Sequence, residues 1–131
     1  MSEEDVEIVR AALDAFVRGD WESAFRDGAS NFELDWSRAQ GLLRGVYRGE
    51  EAQRLVIDFF ESWQSVRIEP DEFIEAGEHV VVLTTEHFVG RDGIEVQARD
   101  TWTFTIRDGM IVRGCLYQDK QEAIKAVGLK E

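Results

Sequence analysis

The sequence has one cysteine and two histidines among 131 residues, and both scarcities exclude a class of site. A single thiol, Cys115, cannot form a disulfide within the chain. The histidines, His79 and His87, lie on one predicted strand and are separated by roughly 26 Å of strand rise. That distance is too long for both to bind one metal ion. We therefore expect neither a disulfide framework nor a metal site.

Long apolar runs and positive charge are also lacking. No apolar run approaches the roughly 20 residues that a transmembrane helix needs, and the acidic start MSEEDVEI does not resemble a signal peptide. With 15 basic and 27 acidic residues, the net charge of −12 opposes nonspecific attraction to nucleic acids and anionic membranes. We expect a soluble, cytoplasmic single domain spanning residues 1–131, with no nucleic-acid or membrane partner.

No phosphate-binding loop is visible either. The glycine-containing stretch Gly45–Gly49 lacks the lysine and the hydroxyl residue that such loops use. We therefore expect no nucleotide cofactor, and no other cofactor is indicated by the sequence.

The stretch Glu95–Ile106 carries the strongest pattern in the chain. Polar and apolar residues alternate, which predicts a half-buried strand because side chains alternate across a strand. Asp100 interrupts the apolar face, which otherwise consists of Val96, Ala98, Trp102, Phe104 and Ile106. An unpaired carboxylate there would lose hydration, so Asp100 is expected to be partnered, protonated or beside a wet cavity. A cavity lined by aromatic residues and a carboxyl group is typical of a small-molecule site.

Other patterns predict helices first and strands later. The predicted helices are a capped helix from Ser2 to about Arg18, a short helix capped by Asp20, a long amphipathic helix from about Glu50 and a tail helix between Asp119 and Gly128. The predicted strands are Asn31–Trp36, an edge strand Val66–Glu75 containing Pro70, His79–Val89, Glu95–Ile106 and Met110–Gln118. Residues 37–49, with three glycines, are predicted to form a loop. This order predicts an α+β domain with helices on one face of an antiparallel sheet.

The two Arg-Asp-Gly turns decide which residues face inward with Asp100. If each turn is a three-residue loop, Asp100 lies opposite Thr84 on one side and Leu116 on the other, and Glu86 faces inward. A two-residue loop at the first turn would place His87 inward instead of Glu86. We prefer the first register because it leaves Arg113 outward.

Three short motifs resemble one known family. They are Arg18–Trp21 at the end of helix 1, Gly45–Ala52 at the start of the long helix, and Arg107–Ile111 before the last strand. In this order they resemble the SnoaL-like, ketosteroid-isomerase-like branch of the NTF2-like superfamily, over nearly the whole chain. The resemblance implies a cone in which a curved antiparallel sheet wraps the N-terminal helices around a deep apolar pocket. It also implies a homodimer through the outer sheet face, which Gln97, Arg99, Thr101, Thr103 and Thr105 would suit.

The resemblance also implies a role for Asp100. Counted back from Phe104, Asp100 falls where ketosteroid isomerases keep a protonated aspartic acid that stabilises a developing oxyanion. Where those enzymes place a tyrosine in helix 1, this chain has Ala12. Their general base follows the first strand, where Asp35 is the nearest candidate although alternation points it opposite to Leu34 and Trp36.

Two functional hypotheses follow. The first is a protein that binds a small, mostly apolar molecule and catalyses cofactor-free proton transfer of the isomerase, cyclase or dehydratase type. Asp100 would be the acid, and Asp35 or His87 the base. Expected binding residues are Trp36, Phe59, Trp63, Trp102, Phe104 and Leu116. The second hypothesis is a noncatalytic ligand-binding or dimerisation module, which the missing tyrosine favours.

Overall fold

The structure is a computed structural model that describes residues 2–39 and 43–128. Its helices are α1 (Ser2–Arg18), α2 (Trp21–Phe25), α3 (Gly49–Glu61) and α4 (Lys120–Ala126). Its strands are β1 (Gly28–Asp35), β2 (Val46–Arg48), β3 (Ser65–Ala76), β4 (His79–Val89), β5 (Glu95–Arg107) and β6 (Met110–Tyr117). The α+β class and the curved sheet around N-terminal helices are therefore confirmed.

Local sequence signals explain the ends of the first helices. Acidic residues in the first turn and Arg18 in the last turn favour α1 through the helix dipole. Gly19 follows with φ +72°, a conformation that glycine adopts easily and that ends the helix. Asp20 then caps α2, because its carboxylate accepts a hydrogen bond from the Ser23 backbone N–H at 3.3 Å. Within the described residues, no helix has the length and apolar content needed to cross a membrane.

The strands form one open six-stranded sheet in the order β2-β1-β6-β5-β4-β3. β1 and β6 are parallel, and the other neighbouring strands are antiparallel. Pro70 lies in β3 at an edge of the sheet, as predicted, and the pairing register shifts between Pro70 and Glu72. The edge position is consistent with the chemistry of proline, which has no N–H to donate to a neighbouring strand.

One strand was not predicted. β2 lies within residues 37–49, where three glycines favoured a loop, and it pairs with the end of β1 so that Tyr47 is opposite Leu34. Part of the predicted loop, residues 40–42, lies outside the described residues.

The β4–β5 hairpin has the preferred register. The Gly90 backbone N–H donates to the Ile94 carbonyl at 2.8 Å, which closes a loop formed by residues 91–93. Thr84 is therefore opposite Asp100, as predicted. The same register places Glu86 on the face of the sheet that the helices cover, hereafter the inner face, and His87 on the outer face.

The predicted register of the β5–β6 hairpin is wrong. Arg107 pairs with Met110, so the turn consists only of Asp108 and Gly109, with φ of 53° and 75°. Two consecutive positive φ values are typical of the tight type I′ turn. A register shift after Thr105 follows, and Trp102 rather than Asp100 lies opposite Leu116.

The outer face is partly covered by the chain itself. Helix α4 packs against β4, β5 and β6, and Ala123 of α4 joins a buried cluster with Val81 and Cys115. The neighbouring outer-face threonines are buried as well: Thr101, Thr103 and Thr105. They are therefore not available to a partner subunit, contrary to the prediction. Homodimerisation through the rest of the outer face stays a prediction.

Candidate functional site

A deep cavity lies between the inner face of the sheet and helices α1, α2 and α3. Its volume is about 420 Å³, within the range of small-molecule sites. Five of the six predicted binding residues line it: Trp36, Phe59, Trp102, Phe104 and Leu116. Helix α1 contributes Ala12, the residue at the position where the family resemblance implies a tyrosine.

Trp63 is the predicted binding residue that does not line the cavity. Its ring packs on Phe88, with 4.9 Å between ring centroids, and borders a separate cleft beside the corner between α1 and α2. The prediction assumed that α3 continues through Trp63. The helix ends at Glu61, so Trp63 no longer follows its apolar stripe.

Aromatic rings form a continuous wall of the cavity. Trp36 contacts Phe59 edge-on at 5.4 Å and Trp102 at 6.4 Å between ring centroids. Trp102 stacks on Phe104 at 6.0 Å, since the two side chains lie on the same face of β5. Such packed rings present a large apolar surface of fixed shape.

Few polar side chains interrupt this apolar lining. Among the described lining residues they are Gln53 of α3, Thr84 and Glu86 of β4, and Asp100 of β5. Trp102 adds its indole N–H, which donates to Glu86. None of the described lining residues is lysine, arginine or histidine. The polar end of the cavity is therefore acidic.

Glu86 lies at the centre of this polar end. It is only 7% exposed, and its Oε2 accepts hydrogen bonds from Thr84 Oγ1 at 3.0 Å and from Trp102 Nε1 at 3.3 Å. Its carboxyl group also shares a hydrogen bond with the side chain of Asp100. The Glu86 carboxyl is thus fixed by three neighbours from two adjacent strands.

Burial and the charge of Asp100 raise the pKa of Glu86 to about 8. Removal from water disfavours the charged form, and a second carboxylate nearby disfavours it further. Hydrogen bonds from Thr84 and Trp102 lower the pKa, but less than the other effects raise it. Glu86 is therefore largely protonated at neutral pH, and two carboxyl groups share a proton at the edge of an apolar cavity.

Asp100 meets two of the conditions expected from the sequence. It lines the cavity, and its side chain is partnered with Glu86. The hydroxyl of Thr84, opposite on β4, also lies 3.3 Å from the Asp100 carbonyl oxygen, which is a second acceptor within reach of the one O–H that Thr84 directs to Glu86.

Asp35 does not lie in the cavity. Its carboxylate accepts hydrogen bonds from Ser37 Oγ at 2.6 Å, from the Ser37 backbone N–H at 2.9 Å and from Arg113 Nη2 at 2.7 Å. Burial raises the pKa of Asp35, but these hydrogen bonds and the charges of Arg113 and Arg38 outweigh burial and lower it. Asp35 is therefore an ionised, fully partnered group, and its predicted role as a base in the cavity is wrong.

His87 also lies outside the cavity. Because it follows Glu86 on β4, its side chain points to the outer face, where Nε2 lies 3.1 Å from Glu69 Oε1. The structure therefore does not bring the three predicted catalytic residues together: of Asp100, Asp35 and His87, only Asp100 faces the cavity.

The important polar residue that sequence reasoning did not commit to is Glu86. The sequence identifies Glu86 only through the register of the β4–β5 hairpin, because the loop length at that turn decides whether Glu86 or His87 faces inward. Gln53 was missed altogether. It lies between Ala52 and Val56, both buried residues of α3, and so stands at the margin of the apolar stripe.

The sequence model of the SnoaL-like domain matches residues 9–114, which is most of the chain. The chain belongs to the SnoaL-like family. Among curated proteins, none matches it significantly.

Solved structures show the same fold. An NTF2-like protein of unknown function from Burkholderia pseudomallei is 25% identical, with a TM-score of 0.77, covering 98% of this chain and 99% of that one. TerC, co-crystallised with polyporic acid, is 21% identical with a TM-score of 0.77, covering 95% and 98% of the two chains. A proposed polyketide cyclase from Xanthomonas campestris is 21% identical with a TM-score of 0.72, covering 97% and 98%. This SnoaL-like chain therefore has the NTF2-like fold.

Proposed function

We propose that this SnoaL-like protein binds a small, mostly apolar molecule in the cavity and catalyses proton transfer on it without a cofactor. The observation that carries the proposal is the Glu86–Asp100 pair at the acidic end of an aromatic cavity. Glu86 favours its protonated form and lies next to a second carboxyl group, so the pair can exchange a proton with a bound molecule.

The surroundings suit such an exchange. Thr84 and Trp102 hold Glu86 Oε2 in place, so the orientation of the acid does not depend on the ligand. The apolar lining keeps the local dielectric low, which strengthens each hydrogen bond and charge contact with the ligand. Two fold neighbours, one named as a proposed polyketide cyclase and one co-crystallised with polyporic acid, support a small organic molecule as the ligand.

Deuterium exchange at the α-carbon of tetralone, an apolar bicyclic ketone, tests the proposal. In D2O, the wild-type protein is expected to accelerate exchange, and both Glu86→Gln and Asp100→Asn are expected to reduce the acceleration about a hundredfold. Glu69→Gln is the matched control, because Glu69 is an exposed carboxylate beside His87 on the outer face. Unchanged exchange in both cavity variants would contradict the proposed roles.

A noncatalytic binding protein is the second candidate. It is favoured by Ala12, which supplies no hydrogen-bond donor to the cavity from its side chain, and by the position of Asp35 outside it. Saturable binding of tetralone without any accelerated exchange would select this candidate. Absence of both binding and exchange across a panel of apolar ketones would reject both.

A further inference from the structure

We propose that the ligand of this cavity carries a basic nitrogen, as an ammonium group placed against Glu86 and Asp100, while its apolar body lies on the aromatic wall. The inference rests on the binding half of the proposed function and specifies the polar group of the ligand. It commits to an amine, rather than to an acid or an alcohol, as the ligand group that is placed against the acid pair.

The first argument is charge. Two carboxyl groups meet at one end of the cavity, and no cationic side chain stands among its described lining residues. The shared proton removes one negative charge, and the remaining one faces a low-dielectric space. A cationic group on the ligand would compensate that charge, whereas an anionic ligand would add to it.

The second argument is the supply of hydrogen-bond acceptors. Glu86 Oε2 is already occupied by Thr84 and Trp102, and the shared proton joins Glu86 to Asp100. A primary ammonium has three N–H donors and can take the place of that proton, donating to both carboxylates. An alcohol has one donor and carries no charge, so the pair must keep its proton when an alcohol binds.

The third argument is the aromatic surface next to the acids. The Trp102 indole donates to Glu86, so its ring is fixed beside the carboxyl group, and Phe88 follows Glu86 on the same face of β4. Cations bind favourably over such ring faces, most strongly when they are removed from water. The acids and the rings therefore favour the same kind of ligand group.

No other described titratable group faces Glu86 in the cavity. On β4 and β5 the lining neighbours are Thr84, Phe88, Asp100 and Trp102, β3 contributes Ile68, and α3 contributes Gln53. Helices α1 and α2 contribute only apolar side chains to the lining. Any pH dependence of binding between pH 6 and 8 is therefore assigned to the acid pair.

The test compares three molecules with one skeleton: phenylbutylamine, phenylbutanol and phenylbutyrate. Calorimetric titration at pH 7 is expected to show the amine binding at least about tenfold tighter than the alcohol, and the acid not binding. The amine displaces the proton held by Glu86, so its affinity is expected to rise about tenfold from pH 6 to pH 7 and to level off near pH 8. Alcohol affinity is expected to stay constant from pH 6 to pH 7 and to fall no more than about twofold by pH 8, because the alcohol binds the protonated pair.

Variants test whether the preference for the amine arises at Glu86 and Asp100. Glu86→Gln is expected to abolish the rise in amine affinity with pH, and Asp100→Asn to weaken amine binding about tenfold, while alcohol binding shows that the cavity is intact. Glu69→Gln should behave as wild type.

Equal affinity for amine and alcohol would overturn the inference and leave the proposed binding function standing. Binding of none of the three would overturn both, and an amine preference that survives in both variants would overturn the assigned position.

Discussion

Asp35 and Glu86 are carboxyl-bearing residues with equally small exposed surfaces and opposite pKa shifts, and the Glu86 carboxyl lies deeper in the protein. Each is 7% exposed. At Asp35, burial raises the pKa, but hydrogen bonds from Ser37 and the charges of Arg113 and Arg38 outweigh it, so the carboxylate form is favoured. At Glu86, burial and the charge of Asp100 act in the same direction and favour the protonated form. The comparison shows that the partners of a buried acid act together with its depth: cationic and hydrogen-bonding partners outweigh burial at Asp35, whereas burial and a second carboxyl group act together at Glu86.

The largest expected effect is on stability at Asp35. Asp35→Leu should lower the free energy of unfolding by about 3 kcal/mol, because Arg113 and Ser37 lose their buried acceptor. Urea denaturation measures the change. Asp14→Leu is the matched control, since Asp14 forms an exposed pair with Arg18, and its cost should stay within about 0.5 kcal/mol. A loss below about 1 kcal/mol at Asp35 would mean that the network contributes little net stability.

The second prediction concerns pH: the contributions of Glu86 and Asp35 to stability should change with pH in opposite directions. The native pKa of Glu86 is raised from 4.5 to about 8, so its contribution to stability is present below pH 4.5 and is lost as the pH rises towards 8. The native pKa of Asp35 is lowered from 3.8, so its contribution is present above that pH and is lost as the pH falls through the native value.

Urea denaturation at a series of pH values, for the wild type, Glu86→Gln and Asp35→Asn, measures both contributions. The free energy of unfolding of the wild type minus that of Glu86→Gln should fall with rising pH, by a total on the order of a few kcal/mol. The free energy of unfolding of the wild type minus that of Asp35→Asn should rise with pH in the acidic part of the series, at and below about pH 3.8. Two slopes of the same sign would refute the comparison.

The smallest expected effect is at Asp100. Asp100→Leu should be as stable as the wild type or more stable, by up to about 1 kcal/mol, because it removes the charge that repels Glu86 and leaves the bonds from Thr84 and Trp102 in place. Denaturation at pH 7 tests this. In the same variant, the NMR titration midpoint of Glu86 should move down. A loss of about 3 kcal/mol would instead show that Asp100 is a structural partner.

Much of the fold followed from local patterns, because alternation and capping act over a few residues. Alternation placed Asp100 on the inner face and pointed Asp35 away from Leu34 and Trp36. Capping signals at Asp20 and Asp119 located the starts of α2 and α4. The bulge after Thr105 had no such signal: the two hairpin turns share the sequence Arg-Asp-Gly, yet one is a three-residue loop and the other a two-residue turn. Their difference depends on how β5 and β6 pair.

The candidate site was only half predictable, because it is assembled by pairing between strands. Asp100 is recognisable alone, as a polar residue on an apolar face. Glu86 is recognisable only once the register is known, since a shift of one residue exchanges it for His87. Trp63 shows the same limit for helices, because its inclusion depended on where α3 ends.

The open sheet also bears on aggregation. A sheet with two free edges offers unpaired N–H and C=O groups to a strand of another molecule. Here one edge, β2, has only three residues, and the other, β3, contains Pro70 and a break in register. A short edge and a proline-interrupted edge are both poor templates for an incoming strand. The chain therefore has an open sheet that gives little opportunity for intermolecular β-sheet growth.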